Sequence, residues 1–117
     1  MKTEPALLEK KGHIALVTLN RPEAHNAFSP EMLVRLSGHW EDIRDDPQIR
    51  VAVVTGAGEK AFCSGADLGQ LIPLFSGARK PQDEWDRKLF EDRTILAKGL
   101  LRDFDVTKPV IAAINGF

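Results

Sequence analysis

Two short apolar runs constrain the fold of this chain more than any other feature of its sequence. The run "HIALVTL" covers residues 13–19 and the run "RVAVVTG" covers residues 50–56, and both are rich in β-branched residues. Neither has the period of an amphipathic helix, so each predicts a strand. The second run is continuous in apolar residues, which is typical of a strand covered on both faces.

Helix signals lie between and after these runs. Ser29 is the predicted N-cap of a first helix that begins at Pro30 and ends at the Asp45-Asp46-Pro47 segment. A short helix is predicted from Asp67 to Leu74, and a long one over residues 83–103. One face of the first helix collects its apolar side chains, which are Met32, Leu33, Leu36, Trp40 and Ile43. For the long helix, the expected core contacts are Trp85, Leu89, Ile95, Leu96, Leu100 and Leu101.

A third buried strand is predicted in "KPVIAAING", residues 108–116. The order strand, helix, strand, helix, strand places the chain in the α/β class, and the crossovers are long enough for parallel pairing. The 117 residues suit a single small domain. Because the chain stops at Phe117, directly after an Asn-Gly turn signal, we expect it to be a fragment of a longer domain.

Composition narrows the range of functions. The chain has 16 basic and 17 acidic residues and therefore a net charge near −1. Its overall electrostatic potential does not attract nucleic acid or an anionic membrane. Its N-terminus lacks the apolar core of a signal peptide, and no apolar stretch is long enough to span a bilayer. The single cysteine excludes an internal disulfide. We therefore expect a cytoplasmic protein that binds neither nucleic acid nor membrane.

The glycine-containing segment "GAGEKA", residues 56–61, partly matches a dinucleotide-binding turn. That motif needs a helix that opens within it and an acidic residue about 20 residues further on. Gly65 would interrupt such a helix, and the position 20 residues on falls in a loop. The segment therefore predicts nucleotide binding only weakly.

Side chains around residues 63–67 offer limited chemistry. Cys63 could act as a nucleophile near a helix, but no histidine lies close in sequence, which favours a small packed residue. Asp67 fits a helix cap better than an acid or base. The three histidines lack metal-ligand spacing, so no metal is expected, and His25 alone is a possible ligand contact. The basic residues Arg79, Lys80, Arg87 and Lys88 alternate with acidic ones, which predicts a solvated helix face.

The backbone of "CSGAD" is the stronger candidate for a site. Gly65 permits a sharp turn, Ala66 is too small to block a ligand, and a helix is predicted to follow directly. Free N–H groups in such a turn suit an anion or a developing oxyanion.

Three segments together resemble one family. "ALVTLNRPEAHNAFSPEM", "IRVAVVTGAGEKAFCSGADL" and "KPVIAAING" are similar, in order and spacing, to the N-terminal portion of the crotonase superfamily, also called the enoyl-CoA hydratase/isomerase family. The resemblance implies an incomplete spiral of ββα turns over residues 1–117. It also implies acyl-CoA substrates, no cofactor beyond the coenzyme A of the substrate, and trimers or hexamers of the full-length protein.

The resemblance also implies site residues. The backbone N–H of Ala66 would be one of two oxyanion-hole donors, and the coenzyme A contacts would be Glu23, His25, Ser64, Ala66, Asp67 and Leu68. The second donor and the acid/base carboxylates would lie beyond Phe117. The leading hypothesis is an enoyl-CoA hydratase that is active only at full length. The alternatives are a truncated, non-catalytic fragment that binds coenzyme A or a family oligomer, and another family reaction such as enoyl-CoA isomerisation.

Overall fold

The fold is built on a four-stranded sheet in the order β1-β2-β3-β4, and the computed structural model describes residues 4–117 of the chain. Strand β1 (Ala6–Lys11) pairs antiparallel with β2 (Ile14–Leu19). Strand β2 is parallel to β3 (Val51–Gly56), which in turn is parallel to β4 (Val110–Ala113). The three predicted strands and their parallel pairing are confirmed.

Strand β1 was not predicted. The second half of β1, Glu9 to Lys11, is charged and exposed, so the strand lacks the alternation of apolar and polar residues that is typical of a half-buried strand. A two-residue connection joins β1 to β2, and Gly12 in that connection has φ +59°. The hairpin pairing with β2, rather than the composition of β1, therefore holds this edge strand in the sheet.

Helix α1 (Pro30–Asp45) begins and ends where the sequence predicts. The Ser29 hydroxyl accepts a hydrogen bond from the Met32 N–H at 3.2 Å, and Pro30 occupies the first turn. All five side chains predicted for its apolar face are buried. Leu33 packs with Leu71 and Leu89 in a separate buried cluster. The other four pack on one face of the sheet in a core of eleven buried residues, namely Ala6, Ala15, Val17, Leu19, Met32, Leu36, Trp40, Ile43, Ile49, Ala52 and Val106.

The long helix predicted over residues 83–103 is instead two short helices, α3 (Glu84–Glu91) and α4 (Arg93–Gly99). Asp92 separates them in an extended conformation, and its carboxylate accepts a hydrogen bond from the Thr94 N–H at 3.0 Å. A side chain that caps a new helix competes with continuation of the old one, which explains the break. Of the predicted core contacts, Leu89 is fully buried, whereas Leu100 is 43% exposed.

The opposite face of the sheet is more open than the sequence predicts. Val51 and Val53 of β3 are only partly buried, and Ile14 of β2 is 46% exposed. All four residues of β4 are exposed, so the prediction of a buried third strand is wrong in its burial although right in its position. Among residues 4–117, no helix has the length and apolar character that crossing a membrane requires.

Candidate functional site

Ala66 lies in a turn that a single parallel bridge attaches to the loop after β2. The Phe28 N–H donates to the Gly65 carbonyl at 2.8 Å, and the Asp67 N–H donates to the Phe28 carbonyl at 3.0 Å. These bonds use the Gly65 carbonyl and the Asp67 N–H and leave the Ala66 N–H free of any acceptor within residues 4–117. Ala66 is exposed, so this donor is available to a ligand.

Gly65 makes the turn possible. Its φ of +103° is a conformation that side chains strongly disfavour, and an added Cβ would meet no neighbour within 4 Å. The requirement for glycine at this position is therefore conformational rather than steric. The bridge and the positive φ together turn the Ala66 N–H away from Phe28.

Asp67 caps the backbone that follows, but the predicted helix does not open there. One carboxylate oxygen accepts hydrogen bonds from the Gly69 N–H at 2.7 Å and the Gln70 N–H at 2.8 Å. Residues 68–71 form a turn, and helix α2 (Ile72–Ser76) begins only after it. The Ala66 N–H therefore does not lie at a helix N-terminus, which corrects the sequence-based expectation.

The other oxygen of Asp67 accepts a hydrogen bond from Nη2 of Arg21 at 3.0 Å. Partial burial by itself would raise the pKa of Asp67. The N–H groups of Gln70 and Gly69 and the Arg21 guanidinium outweigh that effect, and the pKa of Asp67 lies below its usual value. Asp67 is thus a carboxylate whose two oxygens both have partners within the protein.

Asn26 is a buried polar residue that the sequence analysis did not single out. It is fully buried with φ +57°, and its side-chain oxygen accepts a hydrogen bond from the Arg21 N–H at 2.8 Å. Its amide nitrogen donates to the carbonyls of Ala57 and Ala61, each at 3.0 Å. An asparagine beside a predicted turn, where left-handed backbone is favoured, was the available sequence signal.

Asn115 holds the same segment from the opposite side. Its amide nitrogen donates to the carbonyls of Gly58 and Ala61 at 3.0 and 3.2 Å, and its oxygen accepts from the Gly56 N–H at 3.1 Å. The backbone is irregular from residue 57 to residue 65. The helix that a dinucleotide-binding motif needs does not follow "GAGEKA", which agrees with the expected interruption at Gly65.

The structure brings the predicted coenzyme A contacts together on two adjacent segments. Glu23 lies in a short 3₁₀ helix (Pro22–Ala24), and His25 follows it in left-handed conformation. The His25 carbonyl accepts a hydrogen bond from the Ser64 N–H at 3.1 Å, which joins the two segments directly. Leu68, on the turn after Ala66, is 82% exposed.

A cavity of about 310 Å³ lies beside these segments, but it does not reach Ala66. It is lined by Pro22, His25, Asn26 and residues 57–61. The ring of His25 also packs edge-on against the ring of Phe117, with 5.7 Å between their centres. The cavity and the free N–H of Ala66 are therefore separate features, and His25 contributes to the cavity.

Cys63 behaves as the small packed residue that its sequence context favours. It packs against the main core, and burial raises the pKa of its thiol despite the Gly65 N–H 3.4 Å from its sulfur. A neutral thiol is a poor nucleophile. Within residues 4–117, no three His, Cys, Asp or Glu side chains are grouped so as to hold a metal ion.

Arg79 and Asp86 do not belong to a solvated face, which corrects another prediction. The Arg79 guanidinium forms two hydrogen bonds to the Asp86 carboxylate, at 2.5 and 3.1 Å, and Asp86 is only 4% exposed. Nη2 of Arg79 also donates to the Gln70 carbonyl at 2.5 Å. The segment between α2 and α3 is thereby attached to the turn that follows Ala66.

Comparison with known proteins agrees with this architecture. The model of the family described as enoyl-CoA hydratase/isomerase matches residues 9–117. An enoyl-CoA hydratase/carnithine racemase from Magnetospirillum magneticum, of known crystal structure, aligns with a TM-score of 0.74 at 34% identity. The alignment covers 97% of this chain and 39% of that one. The chain belongs to the enoyl-CoA hydratase/isomerase family and has the incomplete α/β crotonase fold.

Particular relatives have related names. The chain is 42% identical over 113 residues to the (E)-benzylidenesuccinyl-CoA hydratase of Thauera aromatica. That alignment covers 97% of this chain and 40% of the relative. It is 33% identical over all 117 residues to the crotonyl-CoA hydratase of Syntrophomonas wolfei, of which it covers 41%. The chain therefore spans about 40% of the length of these curated relatives.

Proposed function

We propose that residues 1–117 form the N-terminal part of an enoyl-CoA hydratase, which adds water across the 2,3-double bond of an enoyl thioester of coenzyme A. One observation carries the proposal: the N–H of the exposed residue Ala66 has no acceptor within residues 4–117, while the Gly65 carbonyl and the Asp67 N–H on either side of it are both bonded to Phe28. The family match and the hydratase names of several relatives support this choice of reaction.

In the proposed reaction, the oxygen of water attacks C3 of the enoyl thioester and water gives up one proton to a carboxylate of the complete protein. The π electrons move toward the thioester oxygen, and C2 then takes up a proton as the thioester carbonyl reforms. The Ala66 N–H donates to the thioester oxygen and stabilises it most when it carries the enolate charge. A preorganised donor of this kind contributes about 3–4 kcal/mol to lowering the barrier.

The coenzyme A moiety is proposed to lie along the joined segments that carry Glu23, His25, Ser64 and Leu68. Exposure of Leu68 and the direct bond between Ser64 and His25 support this path. Asp67 is expected to contribute by shaping the turn, because both of its carboxylate oxygens and both of its backbone polar groups already have hydrogen-bond partners in the protein.

The remaining parts of the active site are proposed from the resemblance. The second oxyanion donor and the carboxylates that move protons would come from residues beyond Phe117. Coenzyme A would enter only as part of the substrate, and the full-length protein would form trimers or hexamers in the cytoplasm. These proposals concern the complete protein rather than residues 1–117 by themselves.

The test is turnover of crotonyl-CoA by the complete protein that contains residues 1–117 and by its Ala66→Pro variant. Proline removes the N–H, and the bridge to Phe28 uses the Gly65 carbonyl and the Asp67 N–H, which the substitution leaves in place. We expect kcat to fall by about 10²- to 10³-fold. The matched control is Ala66→Gly, which keeps the donor. Equal turnover by folded Ala66→Pro and wild type would contradict the proposed role.

Isomerisation of enoyl-CoA is the second candidate reaction, because the matched family includes isomerases by its description. Both reactions pass through a thioester enolate and would use the same Ala66 donor. Supplying 2-enoyl and 3-enoyl thioesters separately distinguishes them, since only a hydratase releases the 3-hydroxyacyl product from the 2-enoyl substrate. Binding of acyl-CoA without turnover of either substrate would favour the non-catalytic alternative.

A further inference from the structure

We propose that Arg21 and Asp67 are positioning residues, which act together to hold the Ala66 N–H in the orientation that stabilises the thioester enolate. This inference rests on the proposed function for its catalytic consequence, but its structural part can be tested separately. Neither side chain needs to touch the substrate, and both act through the backbone of the turn.

Arg21 is well placed for such a role. Its Nη2 donates to Asp67 at 3.0 Å, and its Nη1 donates to the Ala27 carbonyl at 2.6 Å. Its backbone N–H donates to the side chain of the fully buried Asn26. The guanidinium is therefore fixed to the loop after β2 before it reaches Asp67. Side-chain exposures of 12% for Arg21 and 15% for Asp67 limit screening of the pair by water.

The turn has few other restraints near Ala66. Within residues 4–117, its backbone is joined to the loop after β2 by the Phe28 bridge and by the hydrogen bond from the Ser64 N–H to the His25 carbonyl, and Gly65 can adopt many backbone conformations. Leu68 is 82% exposed and contributes little packing. The first buried apolar side chain after Ala66 is Leu71, five residues away. The ion pair therefore supplies the main side-chain restraint close to the donor.

The far end of the turn is held independently. Arg79 donates to the Gln70 carbonyl and pairs with the buried Asp86. With Gln70 fixed from that side, the freedom left to the turn lies in residues 65–68. Arg21 and Asp67 restrain that part. A shift of about 1 Å in a catalytic group can cost about 10²-fold in rate, so a modest loss of orientation would be measurable.

The experiment compares Arg21→Met and Asp67→Asn with wild type in the complete protein. Asp67→Asn keeps an oxygen for the Gly69 and Gln70 N–H groups and removes the charge, so it isolates the ion pair from the cap. We expect kcat for crotonyl-CoA to fall by about 10- to 10²-fold in each variant, with KM changed by less than about threefold. The double variant should be no worse than Arg21→Met, and Arg21→Lys should recover part of the loss.

A second measurement does not depend on activity. Amide hydrogen exchange across residues 65–71 should accelerate in Arg21→Met and Asp67→Asn but not in the control Arg44→Met. Arg44 also pairs with an aspartate, Asp45, but that pair is exposed and lies at the end of α1. Unchanged exchange over residues 65–71 would overturn the inference whether or not the protein is a hydratase.

Failure of the proposed function and failure of the inference about Arg21 and Asp67 give different results. Lack of turnover by wild type would remove the proposed function, while faster exchange in the variants would still support the restraint by Arg21 and Asp67. Wild-type turnover that both variants retain would overturn the inference and leave the proposed function intact. A parallel fall of kcat and the unfolding midpoint, without a local change in exchange, would indicate a merely structural pair and would also overturn it.

Discussion

Helix α1 and strand β4 both lie against the central strands of the sheet, yet different forces hold them. The inner face of α1 is buried against β1 and β2, with Met32 and Ile43 fully inaccessible. In β4, Ile111 is 55% exposed and all four residues are accessible. Apolar burial therefore stabilises the first region, while β4 depends on hydrogen bonds.

The polar contacts of β4 are specific. The Thr55 hydroxyl donates to the Ala113 carbonyl at 2.8 Å, and Nζ of Lys108 donates to the carbonyls of Ile43 and Asp46 at the end of α1. Polar contacts of this kind fix position more than they add stability, because water competes for the same groups. Within residues 4–117, β4 is therefore positioned by polar contacts without being tightly packed.

The largest effect is expected from removing core volume. Leu36→Ala should lower the free energy of unfolding by about 3 kcal/mol, because Leu36 is 1% exposed and the truncation leaves a cavity. Ile111→Ala, an aliphatic truncation in β4, should cost below about 1 kcal/mol. Urea unfolding of both variants measures the difference. Similar losses would break the comparison by showing that β4 is as tightly packed as α1.

Two glycine substitutions compare a crowded position at the end of β3, the strand that pairs with β4, with an open position in α1. At Gly56, the end of β3, a Cβ would lie 2.6 Å from the Phe62 carbonyl and 2.8 Å from both the Ala61 carbonyl and the Asn26 side chain. Gly56→Ala should therefore cost about 2 kcal/mol. Gly38→Ala in α1 should stabilise by about 0.5–1 kcal/mol, because a Cβ there meets nothing within 4 Å. Thermal unfolding measures the midpoint of each variant. A shift of both midpoints in the same direction would contradict the expected difference between Gly56 and Gly38.

Lys108 tests whether polar contacts hold β4 to α1. Lys108→Met should lower the free energy of unfolding by about 1.5 kcal/mol, because it leaves two carbonyls at the end of α1 without their charged donor. The exposed Lys80→Met variant is the control and should stay within about 0.5 kcal/mol of wild type. If Lys108→Met were equally neutral in chemical denaturation, the attachment of β4 would rest on β3 pairing alone.

The smallest effect is expected from a surface ion pair on the α1 side. The hydrogen bond from Lys10 at 2.8 Å, followed by that from the Gln48 N–H, lowers the pKa of Asp46. Because the folded-state pKa lies below the unfolded value of about 3.9, the stabilisation is present above about pH 4 and fades as the pH falls through the folded-state value. Asp46→Asn should therefore differ from wild type at pH 7 in low salt and converge with it in acid. A difference in stability between Asp46→Asn and wild type that does not change with pH would show that the new asparagine amide, rather than the lost charge, causes it.

Much of the fold follows from local sequence patterns. Ser29, Pro30 and the five apolar positions of α1 specify that helix, because capping and a 3.6-residue period act within a few residues. The β-branched runs specify β2 and β3 in the same way. The break at Asp92 and the hairpin strand β1 were not predicted, because one depends on a cap competing with helix continuation and the other on a partner strand.

The candidate site also combines a part that local sequence predicts with a part that depends on tertiary contacts. The sequence by itself determined that a turn with available N–H groups forms around Gly65, because glycine permits the backbone conformation that the turn needs, and the family resemblance singled out the N–H of Ala66. Only the tertiary structure decided how that turn is held. Arg21 lies 46 positions from Asp67, and the two Asn26 acceptors lie 31 and 35 positions from Asn26. Contacts between such distant residues form only when β2 and β3 pair, and no local pattern encodes them.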